Sequence, residues 1–363
     1  MLTPFDDYPI HQTSLPLARA GDAHPDFYDR FWFNGYRDDC FFALAMGLYP
    51  NRGVIDAAFS VVAEDVQRSV FASGRAPIDR TQTAVGPIRV EIVEPMRVNR
   101  LVIDAPEHDL EADLVYRART PVFEEPRQIR WNGPRLQFDV TRATQLGSWE
   151  GTIRSGSTTI EIGADDAVRG TKDRSWGVRP VGDPAPMAPV ASAGQLFFLW
   201  APINFDDVAF HYMVFEDGAG VPWSEVGAVI PVIAAGEPVT GPAAEVARFS
   251  GIRHDIRWAS GLRRSDGATL TFDRGHGDES IELEPLLTFR MSGVGYIHPR
   301  FTHGRWHDEL VVDGEAFAAG DLDNAEFRNL HVQQVMRATW GDRTGLGVLE
   351  QLAIGPHAPS GFS

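Results

Sequence analysis

The amino-acid sequence predicts an all-β fold made of two antiparallel β-barrel or sandwich domains in tandem, with few short helices. The first observation is that 35 glycines and 25 prolines are spread along the chain and divide it into short apolar or alternating runs. Turn signals recur about every 8 to 12 residues in both halves, which is typical of β-sandwiches and β-barrels. A length of 363 residues exceeds what one hydrophobic core usually serves, so two domains are expected.

Several runs carry the strand pattern of apolar and β-branched residues bounded by turn residues. They lie at 40–49, 54–65, 88–95, 100–106, 110–119, 136–143, 158–164, 196–203, 208–217 and 268–274. Hairpin turns are predicted at Pro50 to Gly53 and at Asn204 to Asp207, because turn-forming residues there separate two strand runs. Brief helices are expected only in DFYDRFWF near residue 30, at 64–72 and around 243–250.

The predicted boundary between the domains falls at Gly163 to Asp166, where a strand run ends and a polar loop begins. We therefore expect one β domain at 1–165 and a second at 166–363. The stretch VGDPAPMAPVASAG at 181–194 is a second candidate boundary, but it is better interpreted as a long loop inside the second domain. Because it follows a charged motif, this loop is a candidate lid.

The charge balance excludes several classes of partner. Lys and Arg total 33 against 50 Asp and Glu, a formal net charge of -17, which repels nucleic-acid phosphates and anionic lipid. The first residues lack the features of a secretory signal, and no run approaches the roughly 20 apolar residues that span a bilayer. We expect a cytoplasmic protein with no nucleic-acid partner and no membrane insertion. The single cysteine, Cys40, follows two aspartates and is interpreted as a small buried hydrophobe rather than a nucleophile.

The motif RGTKDRSWGVRP at 169–180 concentrates four cationic side chains in an acidic chain. In an extended strand, Asp173 faces one side while Arg174 and Trp176 face the other. One interpretation is a cross-strand ion pair between Asp173 and an arginine, worth about 0 to 1 kcal/mol if exposed. The alternative places Asp173 in a largely apolar cavity, where it serves as an acid or base and Trp176 forms a wall.

The hairpin at 196–217 adds two candidates to this site. Alternation places His211 on an otherwise apolar face, where it is either a hydrogen-bonded core residue or a group that exchanges protons near neutral pH. Trp200 lies shortly before the turn, and its ring either faces a ligand or packs in the core.

Three histidines, His298, His303 and His307, lie in the stretch GVGYIHPRFTHGRWHDEL at 293–310. Their spacing does not match zinc motifs, and no Cys or acidic residue stands in phase with them, so no metal site is predicted. The same stretch lacks the strand-to-helix setting of a phosphate-binding loop, and the chain has no G-x-S-x-G motif, so nucleotide binding and serine hydrolysis are not predicted.

Five segments together resemble the AttH-like, carotenoid 1,2-hydratase-like superfamily. They are YPNRGVIDAAFSVV (49–62), QLGSWEG (145–151), RGTKDRSWGVRP (169–180), YIHPRFTHGRWH (296–307) and LEQLAIGPHAPSGF (349–362). The resemblance spans nearly the whole chain and implies two lipocalin-like β domains with a ligand pocket near the interdomain region. Members of the superfamily include hydratases that add water to isolated double bonds of carotenoids and cyclases that fold a polyene between the domains.

The motif at 169–180 departs from the hydratase pattern at two positions. The hydratases carry Tyr-x-Asp-His-Asn, and their aspartate matches Asp173, but Arg174 stands in place of the His and Ser175 in place of the Asn. An arginine does not shuttle protons at neutral pH, so the hydratase reaction does not transfer to this chain. Arg174 is instead expected to keep Asp173 ionised or to bind an oxyanion.

The leading hypothesis is a cofactor-independent lyase acting on a hydrophobic terpenoid, steroid or aromatic compound, by hydration or dehydration or by retro-aldol cleavage. The expected catalytic residues are Asp173, Arg174 and His211, and the expected substrate-binding residues are Trp176, Trp200, Tyr212, Tyr49 and Tyr296. No metal or organic cofactor is required. The alternatives are a binding protein for a hydrophobic small molecule and an isomerase or cyclase that folds its substrate. A homo-oligomer is compatible with exposed sheet edges.

Overall fold

The computed structural model describes residues 1–10, 14–163, 166, 168–184, 194–234 and 236–363. Over these residues the regular secondary structure is almost entirely strand, with a few short 3-10 helices. The strands are β1 (Phe27–Arg37), β2 (Cys40–Tyr49), β3 (Val54–Ala63), β4 (Val66–Arg75), β5 (Ala84–Val85), β6 (Ile88–Glu94), β7 (Val98–Ala105), β8 (Leu110–Ala118), β9 (Phe123–Glu124), β10 (Gln128–Asn132), β11 (Arg135–Ser155), β12 (Thr158–Ile162), β13 (Arg169–Val178), β14 (Leu196–Asn204), β15 (Val208–Glu216), β16 (Pro222–Pro231), β17 (Arg248–Phe249), β18 (Arg253–Trp258), β19 (Ser265–Asp273), β20 (Asp278–Arg290), β21 (Leu310–Ala318), β22 (Val332–Trp340) and β23 (Arg343–Ile354). The 3-10 helices span Pro4–Asp7, Pro106–His108, Pro242–Ala244, Met291–Val294, Ala319–Leu322, Phe327–Asn329 and Ala358–Ser360.

These strands form two curled antiparallel sheets, which confirms the predicted all-β class. The first sheet runs in the order β21-β4-β3-β2-β1-β13-β11-β8-β7-β6-β5, and β9, β10 and β12 also pair with β11. The second sheet runs in the order β17-β16-β15-β14-β23-β22-β20-β19-β18. Most neighbours in each sheet are also neighbours in sequence, as expected for hairpin-rich barrels and sandwiches.

The division between the sheets differs from the predicted domain boundary at 165/166. Strand β13 follows that boundary, yet it lies inside the first sheet, where Asp173 pairs with Trp32 of β1 and with Thr144 of β11. Strand β21 comes from far later in the chain and pairs with β4 at the edge of the same sheet. Two strands from beyond residue 165, β13 and β21, therefore belong to the first sheet.

The predicted hairpins are confirmed, but two predicted helices are wrong. The turn at Pro50 to Gly53 joins β2 to β3, and its last residue has a φ of +66°, which glycine adopts without strain. The segment near residue 30 is strand β1, and the segment at 64–72 lies mostly in strand β4. Both are buried between neighbouring strands, so pairing overrides their local helical appearance. No helix among the described residues has the length and apolar character needed to cross a membrane.

The described residues form four hydrophobic clusters: one within each sheet, one between the sheets, and a small one of Tyr28, Tyr49, Val54, Val140 and Val181. Representative residues are Phe33, Phe42 and Trp149 in the first sheet, Trp32, Phe41, Trp200 and Phe289 between the sheets, and Phe210, Leu270 and Trp340 in the second sheet. Strand β2 buries both of its faces, which explains why its sequence CFFALAMGLY is continuously apolar rather than alternating. Cys40 begins this strand and is buried in the core of the first sheet, as predicted.

Candidate functional site

A cavity of about 400 Å³ lies where the two sheets face each other. Its apolar wall consists of Phe138, Val140, Pro180, Val181, Leu196, Phe198, Phe215, Ile297, Leu352 and Ile354. Its polar wall includes Tyr28, Gln128, Gln137, Arg142, Arg179, Gln195, Tyr296, Thr302, His303, His331 and Glu350. Cavities of this size that combine apolar walls with a few polar groups are typical of small-molecule sites.

Arg142 of β11 connects the cavity to a buried network of charges. Its Nε atom lies 3.1 Å from Oδ2 of Asp173, and its Nη1 atom lies 3.7 Å from Oε2 of Glu125. Its guanidinium also lies 5.6 Å from the ring centroid of Phe198, a residue of the opposite sheet. The side chain of Arg142 retains 11% of its accessible surface and lines the cavity. One guanidinium is therefore shared by two carboxylates and faces the cavity as well.

The two carboxylates on Arg142 have opposite pKa shifts. The pKa of Asp173 is raised from 3.8 to about 7. Burial is the main cause, Arg142 acts to lower the pKa, and the neighbouring Glu125 and Glu350 act to raise it. Burial also acts to raise the pKa of Glu125, but Arg142 and His211 outweigh it and lower this pKa to about 2. Glu125 is therefore the ionised partner of Arg142, while Asp173 exchanges a proton near neutral pH. Such a separation of two carboxyl pKa values is a pattern found in acid–base sites.

His211 and Trp200 join this network through Glu125 rather than through Asp173. The Nε2 atom of His211 lies 3.1 Å from Oε1 of Glu125, and the indole N–H of Trp200 donates to the same oxygen at 3.3 Å. The Thr144 hydroxyl donates to it as well, at 2.9 Å. His211 is fully buried, and neither His211 nor Trp200 belongs to the described lining of the cavity. The fold thus gathers Asp173, His211 and Trp200, but with Glu125 and Arg142 between them.

A second pair of titratable groups lies on the cavity wall itself. The Nε2 atom of His331 lies 2.6 Å from Oε1 of Glu350, and the Gln333 amide donates to the other oxygen of Glu350 at 2.6 Å. The Nδ1 atom of His331 is buried and has no hydrogen-bond partner among the described residues. When Nε2 donates its hydrogen to Glu350, the neutral ring keeps its lone pair on Nδ1. His331 is therefore equipped to accept a proton.

Tyr296, one of the predicted substrate-binding residues, lies on the cavity wall among cationic and aromatic groups. Arg30 packs 4.5 Å from the centroid of its ring, and the rings of His303 and His331 each approach it edge-on at 4.8 Å. The Arg30 guanidinium also contacts Nε2 of His303. Burial and Arg30 lower the pKa of His303 to about 4, so this imidazole is neutral at physiological pH.

Two of the predicted substrate-binding residues, Tyr212 and Tyr49, are not among the described lining residues of the cavity. Tyr212 is on β15 beside His211, so it faces the opposite side of the strand, in the core of the second sheet, where its hydroxyl lies 2.8 Å from Nδ1 of His254. Tyr49 is buried, and its hydroxyl donates to Oδ1 of Asp56 at 3.2 Å. Tyr212 packs within the second sheet, whereas Tyr49 packs in a small cluster with Tyr28, Val140 and Val181, which line the cavity.

Arg174 does not accompany Asp173, contrary to the expectation that it would hold that carboxylate or bind an oxyanion. It projects from the other face of β13 and packs 3.9 Å from the ring centroid of Phe31, a residue of the first-sheet core. Its Nη2 atom donates to Oδ1 of Asp29 at 2.7 Å. Arg142 from the neighbouring strand occupies the place predicted for it. Trp176 is half-buried and is not among the described lining residues.

Among the described residues, no group of three or more His, Cys, Asp or Glu side chains is arranged to hold a metal ion. His298 pairs with Glu315 at 3.0 Å, whereas His303 contacts Arg30, so the histidine-rich stretch is divided between separate interactions. The candidate lid at 181–194 lies for the most part, at 185–193, outside the described residues.

Sequence reasoning missed five residues of this site, which are Glu125, Arg142, Arg179, His331 and Glu350. The register between neighbouring strands is what brings these residues together, and it cannot be deduced from a local motif. Arg142 lies opposite Ser175 in β11 and β13, so it is a diagonal neighbour of Asp173 on the same face. His331 directly precedes β22 and Glu350 lies on β23, which are adjacent in the second sheet. These pairings join residues that are distant in sequence.

Comparison with known proteins supports the fold and leaves the activity open. A crystal structure of a Nitrosomonas europaea protein, provisionally described as AttH, aligns with 95% of this chain and 98% of its own chain, with a TM-score of 0.52 and 14% identity. The fold is therefore AttH-like, with two lipocalin-like sheets. No curated protein sequence matches the chain. Residues 2–363 match the family described as Family of unknown function (DUF8625), and the chain belongs to that family.

Proposed function

We propose that the protein is a cofactor-independent lyase that acts on a hydrophobic small molecule held between the two sheets. The reaction class is the addition or elimination of water, or retro-aldol cleavage of a C–C bond. The observation that carries the proposal is the position of Arg142, which lines the largely apolar cavity and contacts Asp173 at 3.1 Å. Asp173 as a proton donor and Arg142 as a fixed cation are thus in contact next to the cavity.

Asp173 is proposed as the general acid. Its raised pKa of about 7 keeps the carboxyl protonated for part of the time at neutral pH. Its Oδ1 atom has no hydrogen-bond partner among the described residues, so this oxygen is not held by another side chain. Asp173 is not one of the described lining residues, but it contacts Arg142, which is. Its side chain retains 11% of its accessible surface.

His331 is proposed as the general base, with Glu350 as the residue that positions it. The Glu350 carboxylate fixes Nε2 at 2.6 Å and stabilises the imidazolium that forms when Nδ1 takes a proton. Glu350 also raises the pKa of Asp173, so the two carboxyl groups are close enough to interact through the cavity wall. The acid and the base therefore act on the same bound molecule.

These roles account for both reactions. In an elimination of water, His331 takes a proton from carbon, its electron pair forms the double bond, and the hydroxyl group leaves with the proton of Asp173. In a retro-aldol cleavage, His331 takes the hydroxyl proton, the C–C bond breaks as the new carbonyl forms, and the electron pair moves onto the enolate oxygen. Arg142 stabilises that oxygen, and Asp173 protonates the carbon. Neither sequence consumes an oxidant or reductant.

The proposal is tested by incubating the purified protein with a panel of aryl- and terpenoid-substituted β-hydroxy ketones and analysing the products by mass spectrometry. We expect loss of one water or formation of two carbonyl fragments, and a fall of about 100-fold in turnover in His331→Gln. His298→Gln is the matched control, because His298 is also buried and paired with a glutamate but lies outside the described lining. Equal activity in both variants would rule out His331 as the base.

A second candidate function is a binding protein for a hydrophobic small molecule. It is favoured by the finding that Asp173 and His211 both lie behind the cavity lining rather than on it. The two functions are separated by recovering the bound compound after prolonged incubation. A compound that binds tightly and is recovered chemically unchanged supports storage or transport, and a changed compound supports the lyase.

A further inference from the structure

Arg179 is a cation of the cavity wall whose charge is not balanced by a described carboxylate. It directly follows strand β13, and its guanidinium packs 4.6 Å from the ring centroid of Tyr28 and 5.7 Å from that of Tyr296. The wall carboxylate Glu350 is bound by His331 and Gln333, and Asp173 is bound by Arg142.

The stacking of Arg179 on tyrosine rings leaves the edge of its guanidinium open. Cation–π contacts engage the flat faces of the group, whereas its N–H donors lie in the plane and point outward. A partly buried cation with free donors is best satisfied by a carboxylate, which binds the planar fork through two parallel hydrogen bonds. The protein does not supply this carboxylate from its described residues, so a ligand is its natural source.

A second observation on the same wall also points to a polar ligand. The Nδ1 atom of His331 is buried and unpartnered among the described residues, and His331 as a whole is only 3% exposed. A buried polar atom without a partner is costly unless something in the site satisfies it. Arg179 and His331 both line the cavity with Tyr296 beside each of them.

Part of the cavity lining is aromatic. Phe198 and Phe215 stack with their ring centroids 4.5 Å apart, and Trp223 continues the stack at 4.6 Å from Phe215. Phe138 approaches Phe215 at 6.3 Å from the first sheet. Flat aromatic surfaces of this kind favour stacking with a ring system of the ligand. The cavity lining therefore combines cations with aromatic surfaces.

We propose that the molecule taken by this cavity is a ring-bearing hydrophobic compound with one carboxylate, and that Arg179 binds the carboxylate while Phe198 and Phe215 hold the rings. The inference rests on the proposed function in one respect, since it names the substrate class of the same cavity. It concerns binding alone, so it is tested without turnover.

The test compares the affinities of two fluorescent probes that differ only in the polar group, pyrenebutyrate and pyrenebutanol. We expect the wild-type protein to prefer the carboxylate, and Arg179→Gln to weaken pyrenebutyrate binding about 10-fold while changing pyrenebutanol binding less than about twofold. Arg343→Gln is the matched control, because Arg343 also packs on an aromatic ring, that of Trp340, but lies outside the described lining. Near-ultraviolet circular dichroism establishes that each variant is folded, and Arg179→Lys should retain part of the preference.

Equal affinity of the wild type for both probes would overturn the inference, and so would an Arg179→Gln variant that binds pyrenebutyrate as the wild type does. Failure of pyrenebutyrate to bind the wild type would overturn the assignment of a ring-bearing carboxylate ligand. Loss of the lyase function alone has a different signature. In that case the wild type still prefers pyrenebutyrate, Arg179→Gln still loses that preference, and no compound is chemically changed.

Discussion

The Nε atom of Arg142 lies 3.1 Å from the carboxylate of Asp173, although the two residues come from different strands of the first sheet. Asp173 has an arginine beside it in sequence, but that residue, Arg174, belongs to the other face of the strand. The chemistry of Asp173 is therefore controlled by its cross-strand neighbour. Arg142 also lines the cavity, so the ion pair connects the buried charge network to the cavity wall.

The first prediction concerns the role of Asp173. Asp173→Asn should lower turnover by about 100-fold or more, because an amide is not an acid that can transfer a proton near neutral pH, while ligand affinity stays nearly unchanged. Steady-state kinetics and equilibrium binding on the same preparation separate these effects. Asp207→Asn is the control, since Asp207 forms an exposed ion pair with Arg343 on a surface hairpin. Full turnover in Asp173→Asn would remove Asp173 from the mechanism.

The second prediction concerns stability as a function of pH. The pKa of Asp173 rises from 3.8 to about 7 in the folded protein, so the fold favours the protonated carboxyl. Its stabilising contribution is complete below the unfolded value and is lost as the pH rises through about 7. Relative to Asp173→Asn, the wild type should therefore lose a few kcal/mol over this interval, at about 1.4 kcal/mol per pKa unit. Thermal unfolding of both proteins across the interval measures the difference, and a constant difference would contradict it.

The third prediction concerns Glu125, the ionised partner of Arg142. Glu125→Gln should destabilise the protein by about 3 to 5 kcal/mol, because it leaves Arg142 and His211 without their buried counter-charge. It should also lower the pKa of Asp173, because Glu125 raises that pKa in the native protein. The alkaline limb of the pH–rate profile, where the general acid loses its proton, would then move to lower pH. A stable variant with an unmoved profile would show that Glu125 and Asp173 are not coupled.

The fourth prediction separates Arg174 from the site. Arg174→Met alone should cost about 3 to 5 kcal/mol of stability, because it removes the buried cation that pairs with the carboxylate of Asp29. The double variant Asp29→Asn with Arg174→Met should recover much of that loss, since both charges are then gone. Denaturant unfolding gives the stabilities, and the folded double variant should bind ligand as the wild type does. A selective loss of binding would return Arg174 to the site.

The fifth prediction concerns Cys40. Burial raises the pKa of its thiol to about 12, and reactive thiolates need a lowered pKa. The native protein should therefore fail to react with a disulfide reagent at mildly alkaline pH and should react with one equivalent after unfolding in denaturant. Rapid reaction of the folded protein would contradict the buried position of Cys40.

The fold class and many of the strands follow directly from local pattern. The run at 40–49 coincides with β2, and the turns after Tyr49 and Asn204 coincide with the hairpins, because glycine, proline and asparagine act within a few residues. Local pattern fails near residue 30, where β1 is buried on both sides between β2 and β13. There the pairing partners, rather than the segment itself, determine the structure.

The candidate site was only partly predictable for the same reason. Alternation correctly separates Asp173 from Arg174, since it depends on strand geometry alone. The choice of Arg142 as the partner depends on which strand lies beside β13, and the pairing of His331 with Glu350 depends on the register of β22 and β23. These relationships connect residues that are far apart in sequence, and no local motif records them.

Because β21 pairs with β4, the chain cannot be cut at residue 165 into two fragments that each keep a complete sheet. A fragment that ends at residue 165 would lack β13 from the middle of the first sheet and β21 from its edge. The complementary fragment would carry both strands without the sheet that receives them. The two halves are therefore not independent modules for recombination or separate expression. A pair of fragments cut between β13 and β14 would still have to exchange β21, which makes the fragments suited to a complementation assay.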